Sequence, residues 1–206
     1  MIDYKKSRID YGEHLAPPQG YTFTQAITTT YSLDLYALLS IPIALFYAKN
    51  LDGQINESRM DILDAIQKTS DVVKVYCQKG KISVPKSHNK IISFIDDCIT
   101  EILPENAYSS FHPKIWVIRF DKKDSPTVYR FFIMSRNLTF DRSWDLAYYS
   151  EGIVGKTNQR SNIPVVDFIK YLKDHSDFRA SDRFIADLHK VKFFTHFDHM
   201  VFHPIG

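Results

Sequence analysis

Strand-like and helical segments alternate through the first hundred residues, a pair of apolar runs joined by a short polar linker follows, and helical periodicity returns near the end. That order predicts an α/β domain: a mixed β-sheet flanked by helices on both faces. Composition agrees, since 44% of the 206 residues are apolar and the chain carries 15 Phe and 12 Tyr, ample for a sizeable core. No repeat at solenoid periods and no low-complexity tract interrupts the pattern. The expected organisation is an irregular arm over residues 1–20 and one domain over 21–206.

Each element has a local reason. The turn signal PPQG closes the arm, and YTFTQAITTTYSL at 21–33, rich in Thr and aromatics, predicts a strand. Ser32 or Asp34 is placed to cap a buried helix over 35–48. NLDGQINES reads as a loop and MDILDAIQKTS at 60–70 as a short helix. DVVKVYCQKGKISVP at 71–85 predicts a strand that turns near Gly80, and NKIISFIDDCITEIL at 89–103 a helix stopped by Pro104. KIWVIRF and TVYRFFIMS, joined by DKKDSP, predict an antiparallel hairpin. LAYYSEGIVG at 146–155 predicts a further strand, PVVDFIKYLKDH and SDRFIADLHKV two helices, and KFFTHFDHMVFHPIG an extended, aromatic end.

Charge and cysteine usage narrow the function classes. A formal net charge of +2 gives no global signature of a nucleic-acid binder, so any anion site is local. Cys77 and Cys98 lack framework spacing, which favours a reduced compartment. The N-terminus has no apolar stretch behind its charges, and LYALLSIPIALFYA at 35–48 is too short to span a bilayer and contains Pro42. A cytoplasmic protein with no membrane partner is the expectation.

Two strand tips carry the chemistry. FHPK at 111–114 precedes one strand of the hairpin and SRNL at 135–138 follows the other. Residues two apart on an extended chain share a face, which pairs His112 with Lys114 and Ser135 with Asn137. An imidazole, an ammonium, a carboxamide and a hydroxyl converging on one crevice suit a phosphate monoanion. The same residues also admit a plainer role. His112 and Pro113 then form the turn leading into the strand, Lys114 snorkels to solvent and Asn137 makes an Asx turn.

The His-x-Lys pair, the following strand hairpin and Ser-x-Asn-Leu resemble the phospholipase D superfamily, and SRNLTFDRSWD adds an Arg-Ser pair at Arg142 and Ser143. The resemblance covers residues 20–155. One position departs from it: the family's usual acid, five residues after the lysine, is here Arg119, with Asp121 and Asp124 out of register. The tyrosyl-DNA phosphodiesterase branch also lacks that acid, so the motif resembles that branch. The resemblance implies a metal-independent phosphodiesterase, without cofactor, in which His112 is the nucleophile and forms a phosphohistidine. Lys114, Asn137 and Ser135 would stabilise the phosphate oxygens. It implies nucleic acid, DNA foremost, as substrate, as for a nuclease. A phospholipid phosphodiesterase, or a non-catalytic lobe binding nucleic acid or a partner within a defence or restriction assembly, are the alternatives.

Such sites use two His-x-Lys motifs, and this chain has one. FHPIG at 202–206 repeats Phe-His-Pro but places Ile205 at the lysine position. The second motif is expected from a homodimer partner or from the C-terminal lobe of a longer two-motif protein. Arg136, Trp144, Asp145 and Glu151 are candidate substrate contacts, the two carboxylates as orienters of a histidine. Tyr31 and Trp116 are further aromatic candidates, with Trp116 expected in the core. Lys79, Lys81, Lys86 and Lys90 form a basic turn, more simply solvated than functional. His196, His199 and His203 have helical spacing for a zinc site, but the run reads as extended and carries no metal assignment.

Overall fold

The computed structural model describes residues 14–42, 59–85, 90–106, 108–141, 145–176 and 182–195. Within them a seven-stranded mixed sheet forms the centre. In chain order its strands are β1 (Thr22–Thr30), β3 (Val73–Gln78), β5 (Ile99–Ile102), β6 (Ile115–Asp121), β7 (Val128–Met134), β8 (Ala147–Val154) and β9 (Val191–Phe193). A two-stranded ribbon, β2 (Leu33–Asp34) with β4 (Ile82–Ser83), lies beyond the end of β1. The spatial order is β5-β3-β1-β6-β7-β8-β9. β1, β3 and β5 run parallel, and every pairing from β1–β6 through β8–β9 is antiparallel.

Alternation of side chains divides the core into two layers. One face of the sheet carries Ala26, Val75, Cys77, Trp116, Ile118, Phe120 and Phe132. It packs against α1 (Leu35–Leu39), against α2 (Arg59–Val72) through Ile66, and against Ile95 and Cys98 of a 3-10 segment. The opposite face carries Ile27, Tyr76, Val117, Tyr129 and Phe131, covered by α3 (Ile163–Asp174) and α4 (Asp182–Leu188). The mixed sheet with helices on both faces is therefore as expected. The described cysteines are free and buried, and burial pushes both thiols up to about 12.

Several local expectations hold. Asp34 caps α1, accepting from the Tyr36 and Ala37 N–H groups. Gly80 turns the chain with φ +73°. Trp116 is buried. Two expectations fail: the helix expected over 35–48 stops at Leu39, with Ser40 as its C-cap just before Pro42, and the helix over 89–103 is two 3-10 turns, Lys90–Phe94 and Asp96–Cys98, followed by β5. Ile99, Thr100 and Ile102 are β-branched, and pairing with β3 overrides the helical spacing of the apolar residues. Most of the N-terminal arm, residues 43–48 of the expected first helix, and Lys86, Arg142, Ser143, Trp144, His196, His199 and His203 lie outside the described residues. No described helix is long and apolar enough to cross a membrane.

Candidate active site

The antiparallel β6–β7 pair brings both motifs to one end of the sheet. Ile115 sits opposite Ile133, and the Met134 N–H donates to the Lys114 carbonyl at 2.8 Å. The same end holds the carboxyl ends of the parallel strands β1, β3 and β5, the edge where open α/β sheets usually bind ligands.

What holds the tips together is the end of β1. Thr28, Thr29 and Thr30 are each only 1% exposed, so their hydroxyls need partners. The Thr28 hydroxyl donates to the Ile115 carbonyl at 2.9 Å, and Thr29 Oγ1 accepts from the Ile115 N–H at 3.1 Å. Together they clamp the first residue of β6, directly after Lys114. Thr30 Oγ1 accepts from the Leu138 N–H at 2.9 Å, Asp34 N–H donates to the Leu138 carbonyl at 2.9 Å, and Leu138 bridges to Leu33. Because β6 lies between β7 and β1, the segment leaving β7 must cross the start of β6 to make these bonds. Gln78, at the end of β3, accepts from the Phe111 N–H at 2.7 Å and fixes the approach to His112.

These constraints bring Lys114 onto His112 and set Asn137 on Tyr31, whose ring packs against His112. Lys114 Nζ lies 3.0 Å from Nδ1 and 3.2 Å from Nε2 of His112 and donates to its carbonyl at 3.1 Å. Lys114 is 7% exposed, so it does not snorkel to solvent, while the His112 ring is open. Asn137 Oδ1 accepts from the Tyr31 N–H at 3.3 Å, and the Tyr31 ring lies 5.0 Å from the imidazole centroid. His112 and Asn137 thus touch the same residue. The bond to Tyr31 uses the amide oxygen, which directs the Asn137 nitrogen and its two donors the other way. Burial, and then the neighbouring Lys114 charge, lower the His112 pKa below its ordinary value. Burial also lowers that of Lys114.

The fourth side chain does something else. The Ser135 hydroxyl donates to Asp145 Oδ1 at 2.7 Å and accepts from the Leu146 N–H at 2.9 Å. Its single proton is committed, so Ser135 shapes the loop instead of donating to a phosphate oxygen. Asp145 also accepts from the Ser135 and Arg136 N–H groups at 3.2 and 3.1 Å. Arg136 turns back onto its own loop, donating to the carbonyls of Thr139 (2.8 Å) and Asp141 and pairing with the Asp141 carboxylate at 3.4 Å. Glu151 is not brought to the motifs. It lies mid-strand opposite Arg130, which it binds at 2.7 Å, and accepts from the Tyr149 hydroxyl at 3.2 Å. Arg119 is buried on the other face of the sheet from Lys114, bonded to Asp121 (2.9 Å), Asp187 (2.8 Å) and Tyr129 (3.3 Å). Its role is structural.

Sequence reasoning passed over Thr28, Thr29, Thr30 and Gln78. A legible signal existed: three consecutive hydroxyls at the end of an otherwise buried strand imply partners beyond the ladder. Tyr31 was among the aromatic candidates, and its position against His112 is a finding of the structure. Among the described residues no cluster of three or more His, Cys, Asp or Glu is arranged to hold a metal.

No protein-family model matches the chain, and no curated protein matches it in sequence. Solved structures match in fold. Yeast tyrosyl-DNA phosphodiesterase superposes with a TM-score of 0.55 at 14% identity, over 91% of this chain and 39% of that one. A histidine-to-arginine variant of yeast tyrosyl-DNA phosphodiesterase 1 gives 0.52 at 14% identity, over 87% and 37%. The chain therefore spans less than two-fifths of the length of these proteins. Its resemblance to the phospholipase D superfamily holds at the level of the fold: a mixed seven-stranded sheet shared with tyrosyl-DNA phosphodiesterase.

Proposed function

We propose that the chain is a phosphodiesterase lobe acting on nucleic acid without a metal, with His112 as nucleophile. The observation that carries this reading is the His112–Lys114 contact beside the tethered Asn137 carboxamide, at the carboxyl edge of a sheet with the tyrosyl-DNA phosphodiesterase fold. The neutral imidazole forms an N–P bond as the P–O bond to the leaving group breaks. Lys114 exchanges its contact with His112 for the developing charge on the phosphate, and the Asn137 amide donates to a non-bridging oxygen. The leaving oxygen takes a proton from a histidine of a second motif, supplied by a homodimer partner or a further lobe. Water then hydrolyses the N–P bond. Trp144 and Arg136, the residue before Asn137, are the proposed substrate contacts, Arg136 exchanging its bonds to the Thr139 and Asp141 carbonyls for the strand.

Cleavage of end-labelled DNA in excess EDTA tests the reading. A homodimer that supplies both motifs is expected to cut, a monomeric single-motif chain to be weak or inactive, and His112→Ala of the cutting form to lose activity by at least about a hundredfold, the scale of removing a catalytic group. Equal rates with and without that substitution would remove His112 from the mechanism. A second reading is favoured by the single complete motif: a lobe that binds the phosphate of nucleic acid or a partner without turnover. It is distinguished by strand binding that survives in the absence of any cleavage.

A further inference from the structure

We infer that Lys81 forms a second phosphate contact beside the reaction centre, committing the site to a polymeric nucleic-acid strand over a single phosphodiester head group. The inference rests on the phosphate-binding reading of His112 and Lys114 and extends it along the edge of the sheet.

The geometry is a row of three side chains. The Tyr31 ring lies 5.0 Å from the His112 ring, and the Lys81 ammonium lies over Tyr31, 5.6 Å from its centroid. Lys81 is exposed, and among the described residues no carboxylate pairs with it. On the same turn, the Glu101 carboxylate accepts from the Gly80 N–H at 2.7 Å. An ammonium resting on an aromatic face at an exposed site is held weakly enough to be exchanged for a phosphate. The position of the turn is built: Lys81 N–H donates to the Gln78 carbonyl at 3.1 Å, and its own carbonyl accepts from Leu33 at 3.0 Å. Gln78 also fixes the approach to His112, so one residue ties the two ends of the row.

Spacing decides the substrate class. The two ring contacts place the Lys81 ammonium at most about 11 Å from the imidazole, about three times the 3.4 Å axial phosphate repeat of one strand, so a strand held at His112 carries further phosphates past Lys81. A head group with one phosphodiester reaches Lys114 but leaves Lys81 without a partner. A strand satisfies both. The fold holds an internal control: Lys122 lies over the Tyr21 ring at 5.6 Å, the same geometry at the opposite end of the sheet, where Thr22 pairs with Asp121.

Salt dependence of binding reads the contact directly. The affinity of a fluorescent single-stranded oligonucleotide is measured by anisotropy against salt for wild type, Lys81→Met, Lys81→Arg and Lys122→Met. Removing one phosphate contact is expected to shallow the log–log slope by about 0.7 in Lys81→Met, and by nothing in Lys81→Arg or Lys122→Met. An unchanged slope in Lys81→Met, an equal change in Lys122→Met, or no binding by wild type overturns the inference. So does Lys81-dependent binding to phosphatidylserine vesicles without binding to the strand. A Lys81-dependent slope without EDTA-resistant cleavage leaves the contact standing and removes the catalytic reading. Cleavage without a slope difference does the reverse.

Discussion

Burying an ammonium is costly, and Lys114 offsets that cost by donating to the His112 carbonyl and to the one ring nitrogen of His112 that carries no proton. A lysine needed only for solubility would be placed in water. The arrangement keeps a positive charge against an imidazole, which favours the neutral ring that a nucleophile requires. The sign follows from linkage. His112 has its pKa lowered from 6.5 by burial and then by Lys114, so the folded protein takes up this proton at lower pH than the unfolded chain. The group's contribution to stability is present above about 6.5 and is lost as pH falls through the folded value. The proposed mechanism predicts that activity is lost in that same window. NMR titration of the His112 ring is expected to give a midpoint below 6.5 in wild type, moving upward in Lys114→Met. A midpoint that is the same in both would show that Lys114 does not act on the imidazole.

At the scale of elements, the site depends on how strand ends are tied. The hydroxyls at the end of β1 reach across β6 to the segment after β7, so three strands that are distant in sequence hold one loop crossing. On the other side of the hairpin, β8 is closed by β9 at Gly152. A Cβ there would stand 2.5 Å from the Lys192 carbonyl oxygen and 2.7 Å from Val191 Cγ1, so β9 approaches only because residue 152 has no side chain. Gly152→Ala is expected to destabilise the protein by about 1–3 kcal/mol, the usual range for overpacking, measured by urea unfolding. A change under about 0.5 kcal/mol would contradict the register. Much of this layer was legible in the sequence. The apolar runs KIWVIRF and TVYRFFIM, with a six-residue linker, specified β6, β7 and their antiparallel pairing, and SRNL marked the tip. Residues 99–102 were not legible, because helical spacing of their apolar residues competed with a β-branched composition that only the pairing with β3 decides. Nor were the partners of Ser135 and Glu151. Strand alternation gives the face of a side chain, not which neighbouring carboxylate or guanidinium takes its hydrogen bonds.

For the molecule as a whole, the two core layers lie on the faces of the sheet and the motif residues at its carboxyl edge. Arg119 shows how the rest is secured. Burial works against its charge, but the bonds to Asp121, Tyr129 and Asp187 hold its pKa above the ordinary guanidinium value, tying β6 and β7 to α4 on the face away from the site. The position at which the sequence resemblance expects an acid is here part of the framework. The chain covers 39% of yeast tyrosyl-DNA phosphodiesterase, and the proposed reaction draws its second histidine from outside this lobe. The proposed phosphate contacts, Lys114 and Asn137, both lie within this lobe. A crystal structure of the protein soaked with tungstate or vanadate tests this most directly. The account expects one tetrahedral or trigonal oxyanion within about 3.2 Å of both Lys114 Nζ and the Asn137 amide nitrogen, with a His112 ring nitrogen facing its centre. An anion bound elsewhere, with Lys114 still resting on the imidazole, would contradict it.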